Sequence, residues 1–158
     1  MEYKAWRTII QKIDNFELKK GLTTFVNPFS MSLLKDRNDI VENIDYWYID
    51  GISLVNMLNK YFKLKINRYS FDDTSLAPVV FNYAKKNNLT IAIIGTKEEY
   101  LHKAVNTIIR KFSVNVAYSH HGYFTNQNRA ECIKHITNEK FDIVICGMGT
   151  PHQEEFLI

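Results

Sequence analysis

The sequence predicts an α/β fold, a Rossmann-like three-layer α/β/α arrangement around a mainly parallel sheet. Short apolar runs alternate along the chain with amphipathic stretches of helical length, which is the pattern of repeated βα units. Two runs, 91–94 and 143–146, contain no alternating polar residues, which is typical of parallel strands covered on both faces. A length of 158 residues suits one domain. We therefore predict a helical arm over residues 1–20 and a single domain over 21–158.

The composition argues against several classes of protein. Apolar residues make up 46% of the chain and charged residues 23%, as in ordinary globular proteins. The formal charge of +3 comes from scattered basic residues, which disfavours a nucleic-acid-binding protein. Cys132 and Cys146 lack CxxC spacing and are interpreted as buried thiols of a reducing compartment. The sequence shows neither a secretory signal nor an apolar stretch of the ~20 residues that span a membrane, so a cytoplasmic protein is expected.

The first predicted strand covers residues 23–26 and ends in Asn27. Because Pro28 restricts the residue before it to an extended conformation, Asn27 is held at the strand end. Its side chain either binds a ligand or, more commonly, caps the following helix. That helix is predicted over residues 29–43, with core positions at Phe29, Leu33 and Leu34.

The second predicted strand covers residues 46–49 and is followed by Asp50 and Gly51. A carboxylate at the end of a buried strand, next to a glycine, suits a catalytic base or a ribose ligand. The N-cap of the next helix is an equally common role. That helix is predicted to place these side chains inward: Ile52, Val55, Leu58 and Phe62.

A third helix is predicted to begin near Thr74, because Pro78 is tolerated only in a first turn. It follows a basic, β-leaning stretch over 63–69. The adjacent Asp72 and Asp73 invite a metal site, but a helix N-terminus that complements the dipole is the commoner explanation. The predicted core positions are Leu76, Val79, Val80, Tyr83 and Ala84.

The most apolar internal strand covers residues 90–95. Thr96 and Glu99 have the spacing of a capping box, which predicts a helix that begins there and runs to Phe112. A further strand is predicted over 114–118. It leads to the loop of His120, His121, Gly122, Tyr123 and Phe124.

This loop offers two interpretations. Adjacent histidines on an extended segment point apart, so a shared metal ion is disfavoured. A glycine followed by two aromatic residues suits a sugar or base pocket, although loop packing is the default explanation. A helix is predicted next, over 128–139.

The last strand, 143–146, turns through Gly147 and Gly149. Thr150 and Gln153 have capping-box spacing, with Pro151 at the first helical position. Such a turn exposes backbone N–H groups where α/β proteins bind phosphates, which predicts a nucleotide or nucleotide-sugar site. A tight corner alone also explains the glycines.

Right-handed crossovers bring the carboxyl ends of parallel strands to one edge of a sheet. The strand ends expected to converge there are Asn27, Asp50, Gly95, Gly122 and Gly147.

Six stretches in this order resemble the WecG/TagA/CpsF family of bacterial glycosyltransferases, over residues 20 to 158. They are FVNPFS at 25–30, YIDGIS at 48–53, Arg68 five residues before Asp73 with Thr74-Ser75 after it, IIGT at 93–96, HGYF at 121–124 and GMGTPHQEEF at 147–156.

The resemblance implies an inverting, TagA-like transferase. It would move an N-acetylmannosamine-type sugar from a UDP donor to undecaprenyl-diphosphate-linked N-acetylglucosamine, in teichoic-acid or other surface-polysaccharide synthesis. It implies no cofactor besides the UDP-sugar and assigns no metal ligand. A cytoplasmic protein, peripheral at the inner face of the cell membrane and open to homo-oligomer formation, is expected. Family members continue with further helical sequence, so this chain is expected to lack the family's C-terminal segment. A non-catalytic UDP-sugar-binding or scaffold subunit is the alternative.

The resemblance also assigns roles to individual residues. Asp50 would be the general base, and Asn27 would help to hold the sugar. Arg68 and Asp73 match a family pair that shapes the site. The residues assigned around the UDP-sugar are Gly95, Thr96, Gly122, Tyr123, Gly147, Gly149, Gln153 and Glu154.

Overall fold

The computed structural model describes residues 4–158, and within this range strands and helices alternate as the sequence predicts. All strand pairs are parallel, which confirms the α/β fold class. The strands are β1 (Thr23–Val26), β2 (Tyr46–Ile49), β3 (Thr90–Gly95), β4 (Asn115–His120) and β5 (Ile143–Gly147). The helices are α1 (Lys4–Lys12), α2 (Pro28–Leu33), α3 (Asn38–Val41), α4 (Ile52–Phe62), α5 (Leu76–Lys86), α6 (Glu98–Phe112), α7 (Asn126–Glu139) and α8 (His152–Leu157).

The chain divides into two compact units. Unit 1 contains the residues up to Ala77 together with Thr150–Ile158, and unit 2 contains Pro78–Gly149. The chain enters unit 2 within α5 and returns to unit 1 after β5. The five strands form two sheets, one with β1 and β2 and one with β3, β4 and β5. The sequence had predicted that all five strands end at one edge of a single sheet. No helix within residues 4–158 is long and apolar enough to cross a membrane.

Unit 1 is built on the parallel pair β1–β2, in which Val26 lies opposite Ile49. Single bridges extend β2 further, from Ile13 to Trp47 and from Arg68 to Ile49. Among the described residues of the predicted arm, α1 covers Lys4–Lys12; residues 1–3 lie outside the described part. Its buried Ala5 and Ile9 belong to the same hydrophobic core as Val26, Trp47, Ile49 and Leu58.

Unit 2 is built on three parallel strands in the order β4-β3-β5. The central strand β3 is covered as predicted, since Ile91, Ala92 and Ile94 are fully buried. The edge strand β5 is only half-buried along its apolar run, and this includes Cys146. The prediction of a strand covered on both faces was therefore wrong for β5, since within the described chain residues 143–146 keep part of their surface exposed.

Both predicted capping boxes are wrong. Thr96 has φ +47, whereas an N-cap residue is extended, and the α6 cap is Lys97 without a side-chain hydrogen bond. The α8 helix begins at His152 after Pro151, again without a side-chain cap. Thr150 donates instead to the carboxylate of Glu154 at 3.2 Å.

The predicted helix over 29–43 is two helices, α2 and α3, and α5 begins at Leu76, two residues later than predicted. Buried Leu34, Val55, Leu58, Leu76, Val80 and Ala84 confirm part of the predicted core. Several other predicted core positions are wrong, because they lie at helix ends or on helix faces that stay exposed among residues 4–158. The exposed ones are Phe29, Leu33, Ile52, Phe62, Val79 and Tyr83.

Candidate active site

Asn27 and Asp50 follow the ends of the paired strands β1 and β2. Asp50 N–H donates to the carbonyl of Val26 at 2.8 Å, which extends the ladder by one residue. A Cβ placed on Gly51 would lie 3.6 Å from the Cβ of Asn27 and 3.3 Å from Cδ of Pro28. The absence of a side chain at position 51 thus lets the two strand ends approach closely.

Asn27 caps α2, the commoner of its two expected roles. Its Oδ1 accepts from Ser30 N–H at 2.9 Å, and its own N–H donates to Ser30 Oγ at 2.8 Å. The cap uses the amide oxygen, and the amide nitrogen has no hydrogen-bond partner among residues 4–158. Asn27 can therefore cap the helix and still donate to a ligand.

Arg68 lies against Asp50. Its Nη2 donates to Asp50 Oδ1 at 2.7 Å, and both side chains are partly exposed, at 41% and 36%. The segment is held by Tyr69 N–H, which donates to the carbonyl of Ile49 at 2.8 Å. The ion pair orients the carboxylate, and Oδ2 of Asp50 has no hydrogen-bond partner within the described chain.

A second carboxylate, Asp72, faces the same arginine. Its Oδ2 is 3.9 Å from Arg68 Nη2 and accepts from Ser70 Oγ, while its Oδ1 accepts from Thr74 N–H at 2.8 Å. The hydrogen bonds from Ser70 and Thr74 lower the pKa of Asp72 to about 2. The ion pairs described for Arg68 thus join it to Asp50 and Asp72. The assignment of Arg68 and Asp73 to a pair that shapes the site stays a prediction.

Two glycines of unit 2 are explained by packing. Gly95 has φ +155, and a Cβ there would collide with the carbonyl of Gly147 on the neighbouring strand. A Cβ on Gly122 would meet the side chain of Met148. Thr96 joins these turns, since its N–H donates to Gly147 O at 3.3 Å and its carbonyl accepts from Gly122 N–H at 3.1 Å.

Gly147 differs from these two. A Cβ built on it meets nothing within 4 Å, and its φ lies outside the region that favours glycine. Neither packing nor backbone conformation therefore requires glycine at position 147. Gly149 also faces open space, but its φ of +77 accounts for its identity. The backbone at the end of β5 is thus open to a ligand.

The two aromatic residues of the HGYF loop, Tyr123 and Phe124, differ in their surroundings. Tyr123 is 67% exposed. The His120 ring stacks on Phe124 at 5.1 Å between centroids, and its Nδ1 is 2.7 Å from the carbonyl of His121. No group of three or more His, Cys, Asp or Glu side chains suited to a metal occurs among the described residues.

The last motif residues belong to unit 1. Glu154 is fully buried, and its Oε1 accepts from Thr24 Oγ1 at 2.6 Å and from Gln153 Nε2 at 3.0 Å. Its neighbour Glu155 pairs with Arg37 Nη1 at 2.7 Å. The structure thus brings Asn27, Asp50 and Arg68 together in unit 1 and groups Gly95, Thr96, Gly122 and Gly147 in unit 2.

Sequence reasoning missed Asp72 and Thr24 as partners of site residues. The Asp-x-Thr spacing from Asp72 to Thr74 was a signal for a turn closed by a side chain. Thr24 carried no such signal, because its partner is 130 residues away in the sequence.

The fold and these strand ends define a parallel α/β protein with an Arg-paired carboxylate in one unit and an open glycine turn in the other. The family model described as glycosyl transferase WecG/TagA/CpsF matches residues 2–158, so the chain belongs to this family. It is 41% identical over 139 residues to a UDP-Gal:alpha-D-GlcNAc-diphosphoundecaprenol beta-1,4-galactosyltransferase of Shigella boydii. The match covers 87% of this chain and 58% of that relative, so the chain spans little more than half of the relative's length.

Proposed function

We propose that the protein takes part in transfer of a sugar from a UDP donor to N-acetylglucosamine carried on a lipid diphosphate, with Asp50 as the general base. The observation that carries this proposal is the Asp50 carboxylate itself. It stands partly exposed at the end of β2, with Oδ1 held by Arg68 and Oδ2 open, next to Asn27. Family membership supplies the reaction class.

The step needs one proton acceptor and one leaving group. Asp50 Oδ2 takes the proton of the acceptor hydroxyl as that oxygen attacks the anomeric carbon. The bond from the anomeric carbon to the UDP oxygen breaks, and UDP departs with the electron pair. Attack from the side opposite the leaving group inverts the anomeric centre. Arg68 fixes the carboxylate for this role, and Asn27 Nδ2 donates to a sugar hydroxyl.

The open backbone at Gly147 supports a UDP site in unit 2. A glycine that neither φ nor packing demands leaves room for a ligand to approach main-chain N–H groups. Exposed Tyr123 offers an aromatic face to the uracil or the sugar. The family resemblance adds Gly149 of the same unit to the residues around UDP.

The donor sugar has two candidates. The family resemblance favours an N-acetylmannosamine-type sugar, whereas the Shigella boydii relative is named for UDP-galactose. A lipid-linked acceptor, as in that relative's name, fits a protein that works at the inner face of the cell membrane. Parallel assays with UDP-galactose and UDP-N-acetylmannosamine decide between the donors.

Asp50→Asn tests the proposed base. The amide keeps the size of the side chain but cannot take the proton, so turnover should fall by about two orders of magnitude or more. UDP affinity, measured by calorimetric titration with ADP as the reference ligand, should stay within about threefold, since Asp50 is not proposed to bind the nucleotide.

Asp36→Asn is the matched control, because Asp36 is an exposed carboxylate of unit 1 whose ion pair with Lys35 spans 4.0 Å. Its turnover should equal that of the unmodified chain. Unchanged turnover in Asp50→Asn would remove Asp50 from the reaction. Specific UDP binding without transfer to any lipid-linked acceptor would favour the alternative, a UDP-sugar-binding or scaffold subunit.

A further inference from the structure

Unit 1 contains a layer of aromatic side chains on the face of the β1–β2 pair that is turned away from its hydrophobic core. Phe25 and Tyr48 lie opposite each other in the sheet register, and their ring centroids are 5.9 Å apart. Because side chains alternate along a strand, both rings lie on the face opposite Val26 and Ile49, which belong to the core. Phe71 extends the layer, with its ring centroid 6.4 Å from that of Phe25.

The layer rests on rings that are themselves held in place. Tyr48 is only 1% exposed, and its ring contacts Phe16 and Tyr69 edge-on, with centroids 5.3 Å and 5.8 Å away. The Tyr69 hydroxyl donates to Asn15 Oδ1 at 3.2 Å. Side chains packed on several sides keep their rotamers. Phe25 therefore lies on a rigid base and presents an ordered surface.

The same face carries two polar side chains of the candidate site. Asn27 follows Phe25 by two residues, and its backbone is extended. Asp50 follows Tyr48 by two residues, and its N–H continues the ladder of the strand pair. Alternation thus places Asn27 and Asp50 on the side of the aromatic rings, two positions or about 7 Å further along the strands. Phe25 is half-buried, so part of its surface is open beside these polar groups.

An apolar face beside a few open polar atoms is a composition that suits a sugar. The C–H groups on one face of a pyranose ring pack against an aromatic ring, while its hydroxyls need hydrogen-bond partners. Phe25 and Phe71 supply the aromatic surface here, and both are half-buried. The polar atoms without a hydrogen-bond partner within the described chain are Asp50 Oδ2 and Asn27 Nδ2. N-acetylglucosamine fits this surface, because its ring substituents beyond the anomeric carbon are all equatorial and leave axial C–H groups on both faces.

We infer that Phe25, with Phe71 beside it, is the platform on which the sugar ring of the acceptor stacks while Asp50 takes the proton of its hydroxyl. This role rests on the proposed function for the identity of the acceptor. It adds an aromatic surface that selects the acceptor to a site otherwise made of polar groups, and all three residues belong to unit 1. Stacking on a fixed ring limits the tilt of the sugar, so the reacting hydroxyl meets Asp50 in one orientation.

Phe25→Leu tests the platform through its separate effects on the two substrates. Leucine keeps an apolar side chain but removes the flat face, so the KM for the lipid-linked acceptor should rise about fivefold or more. The KM for the UDP-sugar should stay within about twofold, since Phe25 is not proposed to contact the donor. Phe25→Tyr keeps the ring, and its acceptor KM should stay within about twofold of that of the unmodified chain. A mere loss of folded protein would lower the apparent kcat and change neither KM.

Tyr61→Leu is the matched control. Tyr61 is another aromatic residue of unit 1 and is 68% exposed, but it lies near the far end of α4, about 14 Å along the helix from Ile52. Its acceptor KM should equal that of the unmodified chain. An unchanged acceptor KM in Phe25→Leu, an equal rise in Tyr61→Leu, or a rise in the donor KM alone would overturn the inference.

Direct binding separates this inference from the proposed function and does not need Phe25→Leu to fold. A water-soluble N-acetylglucosamine diphosphate ester with a short alkyl chain is titrated, without UDP, into the full chain with isotopically labelled phenylalanine rings. The Phe25 signals in NMR spectra are identified by their absence in Phe25→Tyr. Shifted Phe25 signals without sugar transfer would support the platform and contradict the transfer function. Unchanged Phe25 signals would overturn the platform, whether or not transfer occurs.

Discussion

Two side chains of the candidate site, those of Asn27 and Arg68, each combine two structural features. Asn27 caps a helix with its amide oxygen, while its amide nitrogen makes no hydrogen bond within the described chain; Arg68 is shared between Asp50 and Asp72. The sequence pointed to Asn27, Asp50 and Arg68 because strand ends and a family motif mark them. It did not reveal Asp72 as a partner of Arg68, since the position of that carboxylate depends on the turn that Ser70 and Thr74 form.

The carboxylate of Asp72 makes stability depend on pH in a defined window. Its hydrogen bonds to Ser70 and Thr74 lower its pKa in the folded protein from 3.8 to about 2. A lowered folded-state pKa contributes stability above the ordinary value, and the contribution is lost as the pH falls through the folded-state value. Asp72→Asn should therefore be less stable than the unmodified chain at pH 6, with the gap closing between about pH 4 and about pH 2.

Urea unfolding at a series of pH values measures this gap, with Asp36→Asn as the comparison. A gap of constant size down to pH 2 would show that the hydrogen bonds to Asp72 do not stabilise its ionised form.

At the scale of elements, the strands were easier to predict than the starts of helices. A strand such as the one that contains Ile91–Ile94 can be recognised from an uninterrupted apolar run, because such a run indicates burial. The two predicted capping boxes are wrong because a cap needs a particular backbone angle, whereas Thr96 has a left-handed φ of +47 and its backbone bonds to Gly147 and Gly122. Such bonds join strands that are distant in sequence.

The ends of β3 and β5 give a matched pair of glycine substitutions. Gly95→Ala forces a Cβ toward the carbonyl of Gly147 at an unfavourable φ, so it should reduce the free energy of unfolding by about 2 kcal/mol or more. Gly147→Ala meets no atom within 4 Å. Its change in unfolding free energy should stay within about 0.5 kcal/mol.

Urea denaturation compares the two variants, and calorimetry with UDP adds a second measurement on Gly147→Ala. If the open backbone is the UDP site, this stable variant should bind UDP more weakly than the unmodified chain. Undiminished UDP affinity would place the nucleotide elsewhere.

At the scale of the whole molecule, the sequence predicted parallel βα units but not their division between two sheets. Hydrophobic periodicity indicates the type of an element and its buried face. Which strands pair with one another depends on contacts between residues that are distant in sequence. The hydrophobic core cluster built on β1 and β2 contains residues of unit 1 only, from Ala5 to Ile66. Each unit therefore has its own strand pairs, and unit 1 has a core of its own.

A hydrophobic core confined to unit 1 predicts that the two units unfold separately. Both tryptophans, Trp6 and Trp47, belong to unit 1, so tryptophan fluorescence reports on that unit, whereas far-ultraviolet circular dichroism reports on the helices of both. In Gly95→Ala, which weakens unit 2, the dichroism midpoint should move to lower urea concentration more than the fluorescence midpoint. Coincident shifts would show one cooperative transition.

The separation of 130 positions between Thr24 and Glu154 also sets an order of events during synthesis. A ribosome releases β1 early, but the oxygen that Thr24 binds emerges only after the whole of unit 2 has been made. Unit 2 is continuous in sequence and can fold while this hydroxyl still has only water as its partner. Translation thus completes unit 2 before it completes unit 1, the unit that carries Asp50.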